Sequence, residues 1–265
     1  MSPRIMSVAL TFVLVGFARL CAGASDPGEI VDKAIRAAGG EAKLSTAKVI
    51  EWKATGKIFI QDNENHFKSS YVAQGLERFK QDFEGDFNGN TVKGATVLDG
   101  DKGWRKFGDM TNEMDKDAVA NEKRMLYLQV IPTTLVGLKD KAFKLESAGQ
   151  EKINDKPAEA VKVTGPDGKD FTLYFDSETG LPVKEIAKVI GWGGEEFTQE
   201  TTYSDYKDFN GIKKATHVQN KRDGEKFIEM TITEFKVRDH ADPAAFASSD
   251  ASGASDKGDT GKSEK

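Results

Sequence analysis

Three histidines, one cysteine and a scatter of carboxylates are the side chains with which this chain could do nucleophilic, acid–base or metal chemistry. His66 and His217 are far apart, neither has a helical His-x-x-x-His partner, and His240 lies near the C-terminal end. That spacing reads as structural or surface histidine rather than a ligand set. Cys21 is alone, which excludes an intramolecular disulfide and any multi-cysteine metal site. No Gly-x-Ser-x-Gly elbow is present. Gly191-Trp192-Gly193-Gly194 lacks the Lys-Ser/Thr that completes a phosphate loop, so it reads as a strand connection. The acids Asp82, Glu84 and Asp86, and Asp205 with Asp208, could do paired-carboxylate work only at a fixed separation in space, and otherwise sit in turns or on wet faces. No Asp-x-Asp-x-Asp calcium loop is completed. These residues imply no catalytic set, no metal and no cofactor.

Charge narrows the partners. The 265 residues carry 38 Lys and Arg against 43 Asp and Glu, a net −5, which argues against a dedicated nucleic-acid binder. Hydrophobic residues make up 38% and charged residues 31%, a folded core with polar appendages.

The two ends differ from the body. Residues 1–24 read as a cleaved secretory signal. Arg4 is the basic n-region, Ile5–Ala18 the apolar run, and Ala22-Gly23-Ala24 the small-x-small cleavage site. Retained, the same segment would be an N-terminal membrane anchor; cleaved, it delivers the chain to the periplasm or the exterior. Leu20 before Cys21 argues against lipidation, and the only thiol leaves with the signal. Removal of Arg4 and Arg19 takes the net charge from −5 to −7. Residues 241–265 are Ala, Ser, Gly, Asp and Lys with Phe246 the only large apolar side chain, a composition that predicts a disordered tail.

Between them, residues 25–240 read as one domain. Ile30, Val31, Ala34, Ile35 and Ala38 recur at helical spacing, and Gly39-Gly40 ends that helix. The period then switches to two. Ile50, Trp52, Ala54, Gly56, Ile58 and Ile60 alternate with Glu51, Lys53, Thr55 and Lys57, a long strand with one dry face. About four further strands reach Phe107. Residues 112–138 lose the alternation and read as one or two helices, breaking at Pro132. About six strands follow, with Asn210-Gly211 and Asp223-Gly224 as hairpin turns. The expected fold is α+β and mostly antiparallel: a strongly curved sheet or half-barrel of about ten strands. The N-terminal helix and the mid-chain helical insert cover its concave face.

Two short helical pieces cannot cover so large a sheet, which leaves room for an apolar cavity. Trp52, Ile58, Phe79, Phe83, Met125, Phe171, Phe175, Met230 and Ile232 are the residues whose phase could place them on its lining.

The order helix, meander, helical insert, meander resembles the periplasmic lipoprotein-carrier family, with the LolA/LolB-like fold. TVLDGDKGWRKF, LYFDSETGLPVKEI and TTYSDYKDFNGIKKATHVQ resemble its turn-and-strand segments, over roughly Asp26–Val237. The resemblance implies a half-barrel with a helical lid over a cavity for acyl chains, with no catalytic residue and no cofactor. It also implies an arginine on an early strand that latches the lid, a place Arg78 in GLERFKQDF could occupy. A divergent member with its own cargo is the expectation. Three functions follow: a monomeric, non-enzymatic binder of lipid or of an acylated lipoprotein in the cell envelope; an envelope protein–protein interaction or sensor module on the same sheet; or an acid-pair hydrolase.

Overall fold

The computed structural model describes residues 25–247, apart from 62 and 192. The expected signal at 1–24 and the end of the expected tail at 248–265 lie outside the described residues. The chain opens with α1 (Pro27–Ala38) and the single turn α2 (Glu41–Leu44). Six strands follow: β1 (Val49–Ile60), β2 (Asn63–Gln74), β3 (Arg78–Phe87), β4 (Asn90–Asp99), β5 (Lys102–Phe107) and β6 (Met110–Glu113). Helix α3 (Lys116–Thr134) and a 3-10 turn (Val136–Lys139) lead to β7 (Lys144–Ile153), β8 (Lys156–Thr164) and β9 (Asp170–Asp176). The last strands are β10 (Pro182–Ile190), β11 (Glu196–Phe209), β12 (Ile212–Arg222) and β13 (Glu225–Arg238), before a 3-10 turn at Pro243–Phe246.

The strands form one antiparallel sheet of thirteen, in the order β6-β5-β4-β3-β2-β1-β13-β12-β11-β10-β9-β8-β7. The expected architecture is present, with three more strands than expected. The short β6 carries little hydrophobic alternation. The sheet is curved and unclosed, with β6 and β7 as its free edges. These two edges are consecutive in the chain. The segment joining them, α3, must therefore cross from one side of the sheet to the other, and it does so over the inner face. Bulges between Lys53 and Ala54, Ser147 and Gly149, Pro182 and Lys184, and Asn220 and Lys221 add local twist.

Local chemistry sets the helices. The Asp26 carboxylate accepts from the amides of Gly28 (2.7 Å) and Glu29 (3.2 Å), with Pro27 in the first turn. Gly39 ends α1 at φ 139°, and a Cβ there would collide with the Gly211 carbonyl. Ile30, Val31, Ala34, Ile35 and Ala38 are all buried, as their spacing requires. Asp115 caps α3 by accepting from the Ala118 amide at 2.8 Å.

Helix α3 corrects one expectation. It does not break at Pro132 but runs on to Thr134, and Leu135 at φ 56° ends it. A mid-helix proline forfeits one hydrogen bond. Here Leu128, Ile131, Leu135 and Leu138 are each no more than 3% exposed, so burial around the proline offsets that loss.

The C-terminal boundary is a second correction. Residues 243–246 were expected in a disordered tail, yet they form a 3-10 turn whose Phe246 is 1% exposed. It packs against β3 and β4 on the face away from the helices. One aromatic side chain suffices because the sheet supplies a ready-made patch. Val97 and Trp104 share a groove of about 270 Å³ with Ala244, Ala245 and Ala247.

Candidate functional site

Strand alternation and register define the inner face. From β1 outward, Trp52 stands opposite Tyr71, Ala54 opposite Ser69, Gly56 opposite Phe67 and Ile58 opposite Asn65. Those rows continue through Gln81, Phe83 and Gly85 on β3 and Thr96, Gly94 and Val92 on β4. On the other side Trp52 faces Phe235, Ala54 faces Ile232 and Gly56 faces Met230.

The nine residues expected to line one cavity divide into two groups. Trp52, Phe79, Phe171, Phe175 and Ile232 are buried in the main core. Trp52 stacks on Tyr71 with centroids 4.6 Å apart, and Phe171 lies 6.4 Å from the ring of Tyr127 on α3. They pack against one another and against the helices. The second group sits at or beyond the edge of that core. Met125 on α3 and Met230 on β13 are half-buried against it. Ile58 is buried further along β1. Phe83 is half-buried, stacks on Phe67 at 5.6 Å and meets Phe87 at a tilt with centroids 6.2 Å apart. Gly85 makes room for this stack, since a Cβ there would stand 2.7 Å from Phe87 and 2.9 Å from Phe83. The strip ends at Phe107 opposite Gly94, beside Met110 opposite Phe107, and these two are 61% and 66% exposed. An apolar strip thus runs along the inner face toward the β6 edge.

Arg78 is a correction. It is out of phase with Phe79 and so lies on the outer face. Its Nε donates to Asp99 at 2.7 Å, and its guanidinium stands 5.9 Å from the centroid of Phe246. It holds the C-terminal turn, on the opposite face from the helical insert. The arginine that fastens the insert is on the insert itself. Arg124 is 2% exposed. Its Nε donates to the Lys188 carbonyl (2.8 Å), its Nη1 to Asp167 (3.1 Å) and its Nη2 to the Asp170 carbonyl (2.9 Å). Arg105 on β5 adds an ion pair to Glu122 at 2.6 Å.

Two further charged groups lie beneath α3. Glu185 on β10 is 1% exposed, and its Oε2 has no hydrogen-bond partner among the described residues. Burial pushes its carboxyl well above the usual range, against a weaker opposing pull from Arg124. Burial likewise raises the Tyr203 phenol, and Glu185 adds to the shift. Lys214 on β12 is half-buried; its Nζ donates to Thr133 Oγ1 on α3 at 2.6 Å and stands 6.0 Å from the Trp52 centroid. Burial pushes its ammonium down to about 8. Sequence reasoning passed over Arg124, Glu185 and Lys214. The signal for the last two was their phase. Glu185 alternates in step with Ala187 and Val189, and Lys214 with Ile212 and Val218, all buried.

The other candidate chemistries disperse. Asp82 and Glu84 face outward and pair with Lys80 (3.3 Å) and Lys68 (3.0 Å). Asp208 caps the Asn210-Gly211 turn by accepting from Gly211 N at 2.6 Å. His66 and His217 each approach a glutamate at the surface, at 3.5 and 3.8 Å. Gly191–Gly194 is the turn between β10 and β11, with Trp192 outside the described residues. Among the described residues no group of three or more His, Cys, Asp or Glu could hold a metal. Nor is any helix among them long and apolar enough to cross a membrane. A groove of about 580 Å³ opens on the outer face between Lys53, Thr55, Lys68, Asp82, Lys93 and Lys106. Three of its lysines are ion-paired, Lys53 to Glu234 and both Lys68 and Lys93 to Glu84.

No protein-family model and no curated protein matches the sequence. Solved structures do match the fold. The LolA superfamily protein NE2245 from Nitrosomonas europaea aligns over 85% of this chain and 99% of its own, with a TM-score of 0.56 at 12% identity. The fold is LolA-like. A DUF1329 family protein from Desulfovibrio piger shares it over 84% of this chain and 98% of its own (TM-score 0.53, 13% identity). So does a putative outer membrane lipoprotein-sorting protein domain from Vibrio parahaemolyticus, over 82% and 94% (TM-score 0.50, 10% identity). At these identities the LolA-like architecture is what is shared, and side-chain roles rest on this chain's own geometry.

Proposed function

We propose that this protein is a non-enzymatic binder of lipid or lipoprotein acyl chains in the cell envelope. The observation that carries the reading is the apolar strip of the inner face, from Ile58 and Phe67 through Phe83 to the exposed Phe107 and Met110. Ile58 and Phe67 are buried at its inner end and Phe83 is half-buried, so the accessible part is the outer end at Phe107 and Met110, and exposed apolar side chains placed together in this way support a binding surface. Half-buried Met230, packed on the core and opposite Gly56 in the row of Phe67, stands at the junction of strip and core, where a flexible thioether adapts to a chain without fixed shape. The likeness to a protein described as lipoprotein-sorting is in keeping with such a ligand. The reading of residues 1–24 as a secretory signal places the site in the periplasm or outside the cell.

Native mass spectrometry of protein purified without detergent, followed by titration with a fluorescent fatty-acyl probe, tests the proposal. Expected are co-purifying lipid or saturable probe binding, weakened at least tenfold by Phe83→Asp. A lipid-free protein that does not bind the probe would overturn it. One observation favours a second reading. Phe107 and Met110 flank the free edge of β6, where a protein partner could add a strand. A stoichiometric, lipid-free protein complex abolished by Met110→Asp would establish it.

A further inference from the structure

Two cations lie beneath the helical cover, and they are treated differently by their surroundings. Arg124 has one hydrogen bond from each guanidinium nitrogen, two to backbone carbonyls and one to a carboxylate that balances its charge. Lys214 has three N–H donors and one neutral acceptor, Thr133 Oγ1. No carboxylate of the described residues stands within ion-pairing distance of its Nζ, and the Trp52 face at 6.0 Å offers only partial compensation. Its directly opposed neighbour on β11 is Lys207, which is exposed, so that position supplies no counter-charge. The chain has 43 acids, more than its 38 bases, so the lack of a counter-ion here is local.

The geometry points to Lys214 as the receptor for the anionic headgroup, carboxylate or phosphate, of an amphiphile whose apolar chain lies on the inner face. This rests on the acyl-binding reading above and names its ligand class. The placement suits such a molecule. Trp52, beneath the ammonium, is four residues from Gly56 on β1, about 13 Å along the strand. Gly56 belongs to the row of Phe67, at the start of the apolar strip. A headgroup at Lys214 accepts hydrogen bonds from the N–H groups that Thr133 leaves free. Its tail then extends past small residues, Ala54 and Ser69, toward Phe83.

Isothermal titration of the full chain with laurate, dodecyl phosphate and dodecanol, and separately with inorganic phosphate and acetate, tests this. The wild type is expected to bind both anionic amphiphiles at least tenfold more tightly than dodecanol, and neither small anion. Lys214→Met should lose that tenfold preference while keeping its dodecanol affinity, which shows that the variant is folded. Lys214→Arg should retain it. Equal affinity for laurate and dodecanol in the wild type, or an undiminished preference in Lys214→Met, would overturn the headgroup assignment and leave the acyl-binding reading standing. Binding of inorganic phosphate as tight as that of dodecyl phosphate would also overturn it, in favour of a soluble anion. Failure of the wild type to bind any of the three amphiphiles would remove both readings together.

Discussion

Arg124 Nη1 stands 3.1 Å from Asp167 Oδ2 and ties α3 to the turn between β8 and β9. With Nε and Nη2 on the carbonyls of Lys188 and Asp170, this one side chain joins the helical cover to two connected parts of the sheet. Between Lys116 and Met125 the helix buries one apolar side chain, Val119, so directional bonds fix that half over the inner face.

Arg124→Met should therefore cost about 3 kcal/mol, because it deletes three hydrogen bonds and strands the Asp167 charge. Urea unfolding measures the loss. Hydrogen exchange should show α3 amides exchanging faster while β1 and β2 remain protected.

Lys214→Met should stabilise the ligand-free protein. Its ammonium has a folded-state value of about 8, below the ordinary 10.5. Between these values the unfolded chain holds more protons, so wild-type stability rises with pH through that window. The variant's advantage should be constant below pH 8, shrink above it and vanish beyond pH 10.5. Discounted for partial exposure, the advantage at neutral pH is about 1–2 kcal/mol. Thermal melts between pH 7 and 11 check it.

Glu185→Gln should stabilise at neutral pH by the opposite linkage. The buried carboxyl holds its proton well above the ordinary 4.5, so the folded state binds more protons than the unfolded chain above that pH. Wild-type stability should fall as pH rises from 4.5 through the raised value, and the variant should lack this slope. The two proteins should melt together at pH 4, and a difference persisting there would count against the assignment.

Phe246→Ala should cost about 2 kcal/mol, less than a deep-core phenylalanine, because the turn can detach without opening the sheet. Limited proteolysis should then cut within residues 241–247, at sites protected in the wild type.

Much of this architecture was legible because its cause is local. The alternation from Ile50 to Ile60 comes from one strand's own two faces. Asn210 and Gly211, at φ 56° and 84°, fold a hairpin that their side chains already prefer. What was missed depends on distant partners. Nothing near Phe246 in sequence announces the Arg78 side of β3. Pro132 signals a stop that only the packing around Leu128 and Ile131 overrides. Arg78 was placed beside the helices, but Phe79, one residue on, takes the inner face and turns it away. The candidate site shared that fate in part. Aromatic phase identified the inner face, whereas its division into a packed core and an open strip follows from where α3 crosses.

The strand order has a consequence for how the chain assembles. Every neighbouring pair in the sheet is joined by a short hairpin except β1 and β13, whose register sets Val49 against Arg238. Two meanders, β1–β6 and β7–β13, can each form from local contacts. Their union at the centre must await the closure of a loop that contains nearly the whole domain, the slow kind of step in folding. Substitutions along the β1–β13 seam, such as Ala54 or Ile232, are then expected to slow folding as well as speed unfolding, because the seam forms in the slow step.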